Sequence, residues 1–329
     1  MTTTKVSSKL LNLIRRNSSF LIVGHINPEA DSLGSSLALA LGLSKIGKKD
    51  ICVLSRDPVP ENLRFLPSSK KVRHKPPGRE FDVLFIVDCN DPERTGFKGL
   101  RAAKTAVIDH HVLPAGAGKS EFYNSLSASL IDPDAAATGV LVYKVLTALK
   151  IPIDKNMAEN LYAAILVDTG GFRYSNSSPE SLKIASRLVE AGAKPWDITK
   201  DVYESIPFRS MKLLGLSLST LEKKDGVAWI TTTRAMFRKT GATAEDAEDF
   251  VDYPRKVKDI DVAVFFRQDG MKSFKISLRS KGRVNVQKIA KRFNGGGHVA
   301  AAGCTVNGTL KEVQDKVLKA VRAALKESK

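Results

Sequence analysis

An aspartate followed by two histidines, Asp109-His110-His111, closes the short apolar run Thr105-Ala106-Val107-Ile108. The run reads as a buried β-strand, which puts the triplet at the strand's carboxyl tip. Two imidazoles and a carboxylate are poor core material, because Asp is almost never fully buried without a partner. Open α/β sheets bind their ligands at that edge. Alone, so short a triplet reads first as a surface turn with incidental histidines. Three other apolar runs end in the same way. Phe20-Leu21-Ile22-Val23 leads into a loop with His25, Glu29 and Asp31; Phe81 to Val87 ends at Asp88; and Leu161 to Val167 ends at Asp168. One such carboxylate is unremarkable, but four successive ends, two of them with histidine, point to a shared site. Two divalent ions about 3.5–4 Å apart need roughly this many oxygen and imidazole donors, with one carboxylate bridging. The mixed donor set suits Mn²⁺, Fe²⁺ or Zn²⁺ better than Ca²⁺. A water shared by two such ions has its pKa lowered toward neutrality and becomes a nucleophile.

The elements that must position these groups alternate. A small-residue helix is expected from about Leu33 to Ile46, stopped by Gly47, and a strand at Ile51-Cys52-Val53-Leu54. Asp132 or Asp134 is expected to cap a helix from about Ala135 to Leu149. Leu161 to Val167 suits helix and strand alike. Ser178-Pro179 opens a helix with Leu182, Ala185, Leu188 and Val189 on one face, ended by Gly192. Strands alternating with helices predict a parallel sheet covered by helices on both faces. After Pro195 and Pro207 the pattern changes. Strands are expected at Val227–Ile230, Val262–Phe266 and Phe274–Leu278, and helices at Val284–Phe293 and Leu310–Leu325. The predicted organisation is an α/β domain over residues 1–190, a linker over 191–215, and a smaller α+β domain over 216–329.

Composition bounds the function. The 329 residues suffice for two domains with cores, and 43% hydrophobic with 26% charged residues is ordinary for a globular protein. A net charge of +17 is not ordinary and points to a polyanionic partner, although a generally basic surface would also give it. Three scattered cysteines, Cys52, Cys89 and Cys304, form neither a disulfide framework nor a zinc-finger spacing, which suggests a reducing compartment. No apolar stretch approaches the ~20 residues of a membrane span. The expected location is cytoplasmic, with no membrane partner.

Together, His25-Ile26-Asn27-Pro28-Glu29-Ala30-Asp31, Asp88, Asp109-His110-His111 and Asp168 resemble the four motifs of the DHH phosphoesterases. Phe293-Asn294-Gly295-Gly296-Gly297-His298 resembles the signature of the DHHA1 domain attached to them. The likeness covers nearly the whole chain, and is greatest to the stand-alone nanoRNase/pAp phosphatase branch. It implies that His25, Glu29 and Asp88 hold one metal, and that Asp31, Asp88, His110 and Asp168 hold the other. Asp88 would bridge, manganese is the favoured metal, and His111 would face the phosphate. Asp88, Asp109 and His111 are then the catalytic candidates. Where this chain has Glu29 the family often has Asp, so the backbone must sit slightly further back.

The second-domain motif has its own chemistry. Gly295, Gly296 and Gly297 let the backbone approach a phosphate closely, His298 follows at once, and Arg279, Lys281 and Arg283 lie upstream. Glycines alone would mark a flexible loop; with the histidine and the cations they suggest a phosphate clamp. The Asp168-proximal Arg173 and Tyr174 are candidates for reaching substrate or for an ion pair. The leading expectation is a two-metal phosphoesterase that acts on short single-stranded oligoribonucleotides and on adenosine 3′,5′-bisphosphate. Hydrolysis of pApA or cyclic dinucleotides is the second, a non-catalytic polyanion-binding protein the third, and a homodimer is compatible with all of them.

Overall fold

The apolar runs of the first half become the strands of one parallel sheet. In chain order the elements are α1 (Ser8–Arg16), β1 (Ser19–Val23), α2 (Ala30–Lys45), β2 (Asp50–Leu54), β3 (Phe81–Val87), β4 (Ala102–Asp109), α3 (Glu121–Ser125), β5 (Ala128–Ile131), α4 (Thr138–Ala148), α5 (Lys155–Asp168), α6 (Pro179–Glu190) and α7 (Pro195–Tyr203). The computed structural model describes residues 5–113 and 116–328, and of Lys119 only the backbone. All strand pairs are parallel, in the order β2-β1-β3-β4-β5. The chain winds outward in opposite directions from β1 and β3. The loops leaving these two strands therefore diverge at their carboxyl ends, where such sheets bind ligands.

Alternate residues of each strand feed opposite faces. Phe20, Ile22, Val83, Phe85, Ala106 and Ile108 join the large core that contains α2, α4 and α5. Leu21, Val23, Leu84, Ile86 and Val107 face the other way, beneath Phe97, Leu100, Phe122 and Leu126. Both faces are covered, one by long helices and the other by α3 and loops. The ambiguous run Leu161–Val167 is helical, inside α5. In α6 the buried positions are Ser181, Ile184, Ala185 and Leu188, whereas Leu182 and Val189 are exposed, against expectation. The i, i+3, i+4, i+7 spacing does select a face, but its first member is a serine whose hydroxyl is spent on the Ser178 capping box.

Two compact units divide between Ser205 and Ile206. The stretch 191–215, expected as a linker, is mostly helical: α7 belongs to the first unit and α8 (Phe208–Leu218) opens the second. There follow β6 (Glu222–Lys224), β7 (Val227–Thr232), α9 (Arg234–Thr240), α10 (Asp252–Arg255), β8 (Val262–Gly270), β9 (Ser273–Ser280), α11 (Val286–Lys291), β10 (Gly296–Gly297), β11 (Ala301–Asn307) and α12 (Leu310–Glu327). They build a mixed sheet in the order β10-β11-β9-β8-β7-β6, parallel only between β7 and β8. One face packs on α11 and α12, and Val313, Val317, Val321 and Leu325 supply the apolar stripe of α12. The other face packs on α8 and the segment around Phe250. No helix among the described residues is long and apolar enough to cross a membrane.

Candidate active site

β1 delivers His25 to the sheet edge, buried, with Nδ1 2.7 Å from the carbonyl oxygen of Ile26. That bond fixes the tautomer and leaves Nε2 as the ligating atom. His25 Nε2 lies 3.6 Å from Glu29 Oε1 and 3.4 Å from Asp88 Oδ2. Glu29 stands at the N-cap of α2 but makes no capping bond, so its carboxylate is not spent on the helix.

Asp31 lies in the first turn of α2, because that helix begins earlier than its apolar pattern suggested. Its carboxylate accepts from Thr138 N at 2.7 Å, Gly139 N at 2.8 Å and Ser35 Oγ at 2.9 Å. Asp31 thereby caps the amino end of α4. Asp132 and Asp134, expected in that role, do not serve it: the N-cap is Ala137, which has no side-chain acceptor. The physical reason is that an acidic group at a helix amino terminus need not come from the same segment.

Asp88 ends β3 in the left-handed region at φ 59°, with its N–H donating to Ile108 O. Asp and Asn tolerate this conformation better than other side-chain-bearing residues. Thr138 Oγ1 donates to Asp88 Oδ1 at 2.9 Å. β4 ends at Asp109, and the two histidines diverge. His110 Nδ1 lies 3.2 Å from Ala135 O, while Nε2 is 3.0 Å from Asp168 Oδ2 and 3.7 Å from both Asp31 Oδ2 and Asp88 Oδ1. His111 Nδ1 donates to the buried Asp109 carboxylate at 2.7 Å. Asn90 Nδ2 donates to the His111 and Val112 carbonyls, and Tyr123 hydroxyl donates to Asn90 O at 2.6 Å.

Three ligand groups result: His25, Glu29 and Asp88; Asp31, His110 and Asp168; and Asp88 with His110 and His111. Asp88 and His110 each belong to two of them, and of the two only the carboxylate has two oxygens to offer. The buried atoms His25 Nε2 and Asp88 Oδ2 face each other without a hydrogen-bond partner. Buried polar atoms are rarely left so, and a cation between them would satisfy both. The electrostatics agree. Burial, then Asp88 and Asp168, push the Asp31 carboxyl well above its usual range, and burial raises Asp168 despite its His110 bond. Burial disfavours charge on both imidazoles, yet the neighbouring carboxylates overcome it. Asp88 and Glu29 push His25 up to about 10, and Asp168 and Asp31 do the same for His110. Burial raises Asp109, but the His111 bond holds it below the usual carboxylate value. The cluster carries surplus negative charge that divalent cations would offset, so the residues fit two metal ions.

The six residues expected to hold metal thus meet in the first unit, with Asp109 and His111 beside them. Ser35, Asn90, Tyr123, Thr138 and Gly139 were not anticipated. They hold the ligands across up to 108 residues of sequence, where no local pattern could reveal them. In the second unit, Gly295 precedes β10, Gly297 ends it and His298 opens the turn into β11. A Cβ on Gly295 would lie 2.5 Å from Cys304 Cβ, and one on Gly297 2.5 Å from Ala301 O. These two glycines are required by close packing of the chain, while Gly296 faces open space. Arg279 pairs in register with Ala301 and approaches Asp252 Oδ1 at 3.9 Å. Lys281 Nζ donates to Val257 O at 2.7 Å.

Comparison with known proteins follows the same division. Residues 19–165 match the model of the DHH family, N-terminal domain, and residues 227–327 match the DHHA1 domain. The bifunctional oligoribonuclease and PAP phosphatase NrnA of Thermus thermophilus is 35% identical, over 92% of this chain and 89% of that protein. The protein of the same name from Bacillus subtilis is 24% identical, over 92% and 93%. The crystal structure of an exopolyphosphatase-related protein from Bacteroides fragilis superposes with a TM-score of 0.86 at 26% identity, covering 99% of this chain and 98% of that one. The chain belongs to the DHH family of metal-dependent phosphoesterases with an attached DHHA1 domain, alongside the bifunctional oligoribonucleases and PAP phosphatases.

Proposed function

We propose that this protein degrades very short oligoribonucleotides to mononucleotides and removes the 3′-phosphate from adenosine 3′,5′-bisphosphate. The observation that carries the reading is the Asp88 carboxylate shared between histidine-containing ligand groups, in a chain whose relatives bear names of that activity. His25, Glu29 and Asp88 would hold one divalent ion, and Asp31, Asp88, His110 and Asp168 the other. Manganese, which suits the donor mixture, would polarise the phosphoryl group and lower the pKa of water. Thr138 and Gly139 keep Asp31 aimed inward, and Thr138 does the same for Asp88. Asp109 accepts from His111 Nδ1 and fixes the ring, so that His111 in its protonated form would donate from Nε2 to a phosphoryl oxygen. In the second unit, Gly295, Gly296, Gly297 and His298, with Arg279 and Lys281, would contact a substrate phosphate.

The test is product analysis with purified protein and Mn²⁺. Substrates are di- to pentaribonucleotides, pApA, cyclic di-AMP and adenosine 3′,5′-bisphosphate. Mononucleotide release from the shortest oligomers, and phosphate release from the bisphosphate, are expected, both abolished by chelation. Turnover of cyclic di-AMP alone would overturn the reading.

A further inference from the structure

The segment leaving α5 is under unusual backbone demand. Gly170, Gly171 and Phe172 follow one another at φ 57°, 71° and 62°. A left-handed phenylalanine is costly and persists only where its surroundings over-determine it. They do so here. Thr169 O accepts from the N–H of both Arg173 and Tyr174 at 3.0 Å, and Thr169 Oγ1 accepts from Phe172 N at 3.0 Å. The Phe172 ring packs on the helical core, edge-on to Tyr162 at 6.2 Å. Arg173 Nε donates to Gly170 O, and Asn176 Nδ2 bridges Asp168 O and Ala136 O at 3.0 Å each.

What this strained turn holds in place is an aromatic ring. A Cβ on Gly170 would lie 2.5 Å from both Cε atoms of Tyr174 and closer still to Cζ. The ring therefore lies against the Gly170 Cα, where only glycine leaves it room. Tyr174 is 40% exposed. The turn starts directly after Asp168, whose carboxylate meets His110 at 3.0 Å. A half-exposed aromatic ring is thus fixed against the turn that leaves the Asp168 end of α5. Nucleobases stack on such surfaces whatever their identity, because each has a π-face.

We propose that Tyr174 is the stacking platform for the nucleobase adjoining the scissile phosphate. The inference rests on the oligoribonuclease reading above. It gives the site a sequence-tolerant grip on the reacting nucleotide, in addition to phosphate contacts.

The experiment compares wild type, Tyr174→Phe and Tyr174→Ala, all with Mn²⁺ and with metal content measured. The substrates are a 5′-phosphorylated diadenylate and its two singly abasic analogues. On the intact dinucleotide, Tyr174→Ala should lower kcat/KM by about 5- to 150-fold, the range that one lost base–aromatic stack corresponds to. Tyr174→Phe should stay close to wild type, and metal content should be unchanged in both. One abasic analogue should be cleaved equally by wild type and Tyr174→Ala, because the base that stacks is missing. The inference is overturned if Tyr174→Phe loses as much as Tyr174→Ala, or if the alanine variant loses as much on both abasic analogues as on the intact substrate. A wild type inert on all three substrates overturns the oligoribonuclease reading itself, which is a distinguishable result.

Discussion

Gly34, in the second turn of α2, offers a sharp test of how the fold holds the candidate metal ligands. Its Cα faces the backbone of Asn160 in α5: an added Cβ would lie 3.2 Å from the Asn160 carbonyl carbon and nearer still to its oxygen. Backbone of a buried helix cannot swing aside as a side chain can, so Gly34→Ala must push the two helices apart by roughly 1 Å to restore van der Waals separation. α2 carries Asp31 in its first turn and α5 ends at Asp168, and both converge on His110 Nε2, at 3.7 and 3.0 Å. Overpacking costs about 1–3 kcal/mol, and the better helix propensity of alanine returns at most about 1 kcal/mol. Because the clash is with backbone, the cost falls in the upper part of that range, about 2–3 kcal/mol, and the expected net loss is about 1–2 kcal/mol, a fall in Tm of roughly 2–8 °C for a unit of this size. A misplacement of about 1 Å in the ligand set should lower kcat/KM on a dinucleotide by about 10²-fold. Gly215→Ala in α8 is the control, since nothing lies within 4 Å of its added Cβ. That variant should keep full activity and gain up to about 1 kcal/mol. Calorimetry and Mn²⁺-dependent turnover of both proteins decide the matter. A Gly34→Ala protein that melts at or above wild type with undiminished kcat/KM would refute the reasoning.

Other consequences follow from the same geometry. Asp88→Asn should abolish turnover in saturating Mn²⁺ while melting near wild type, because asparagine tolerates φ 59° and still accepts the Thr138 hydroxyl; a wild-type rate would remove Asp88 from the bridge. His110→Ala should lose bound metal, whereas His111→Ala should lose rate with near-normal metal content, measured by elemental analysis; equal metal loss in both would contradict the division of roles. In chelator, His25 and His110 titrate near 10, above their ordinary 6.5. Their protonated forms therefore stabilise the fold fully below about pH 6.5, and this is lost as pH rises through about 10. Urea unfolding in EDTA should show lower stability at pH 9 than at pH 7, and apparent Mn²⁺ affinity should rise over the same interval as fewer protons must be displaced. His298→Ala or Arg279→Ala should lower the ratio of dinucleotide to small-phosphodiester activity by about 10-fold, the equivalent of one charged contact; an unchanged ratio would remove the second unit from substrate holding.

Much of the candidate metal site was legible in the sequence because strand ends are local features. An apolar run that stops at Asp88 or Asp109 announces a sheet edge, and β1, β3 and β4 do end there. Residue type and spacing also sufficed for the two-unit division in outline and for the parallel sheet. What the sequence could not determine was set by contacts between distant segments. Asp31 caps α4 because α2 and α4 meet at the sheet edge; seen alone, α4 has acidic residues just upstream and invites a local cap that does not form. Leu161–Val167 was undecidable by periodicity, since burial on all sides erases the polar face that distinguishes a helix. The glycines of the second unit suggested a phosphate nest, yet Gly295 and Gly297 are demanded by the approach of β11, a strand too rich in small residues to stand out. Tyr174 was only a candidate next to Asp168 until the left-handed turn showed which surface its ring lies against. Local chemistry named the candidate ligands; the tertiary structure decided their orientation, charge and support, because those depend on atoms far apart in the chain.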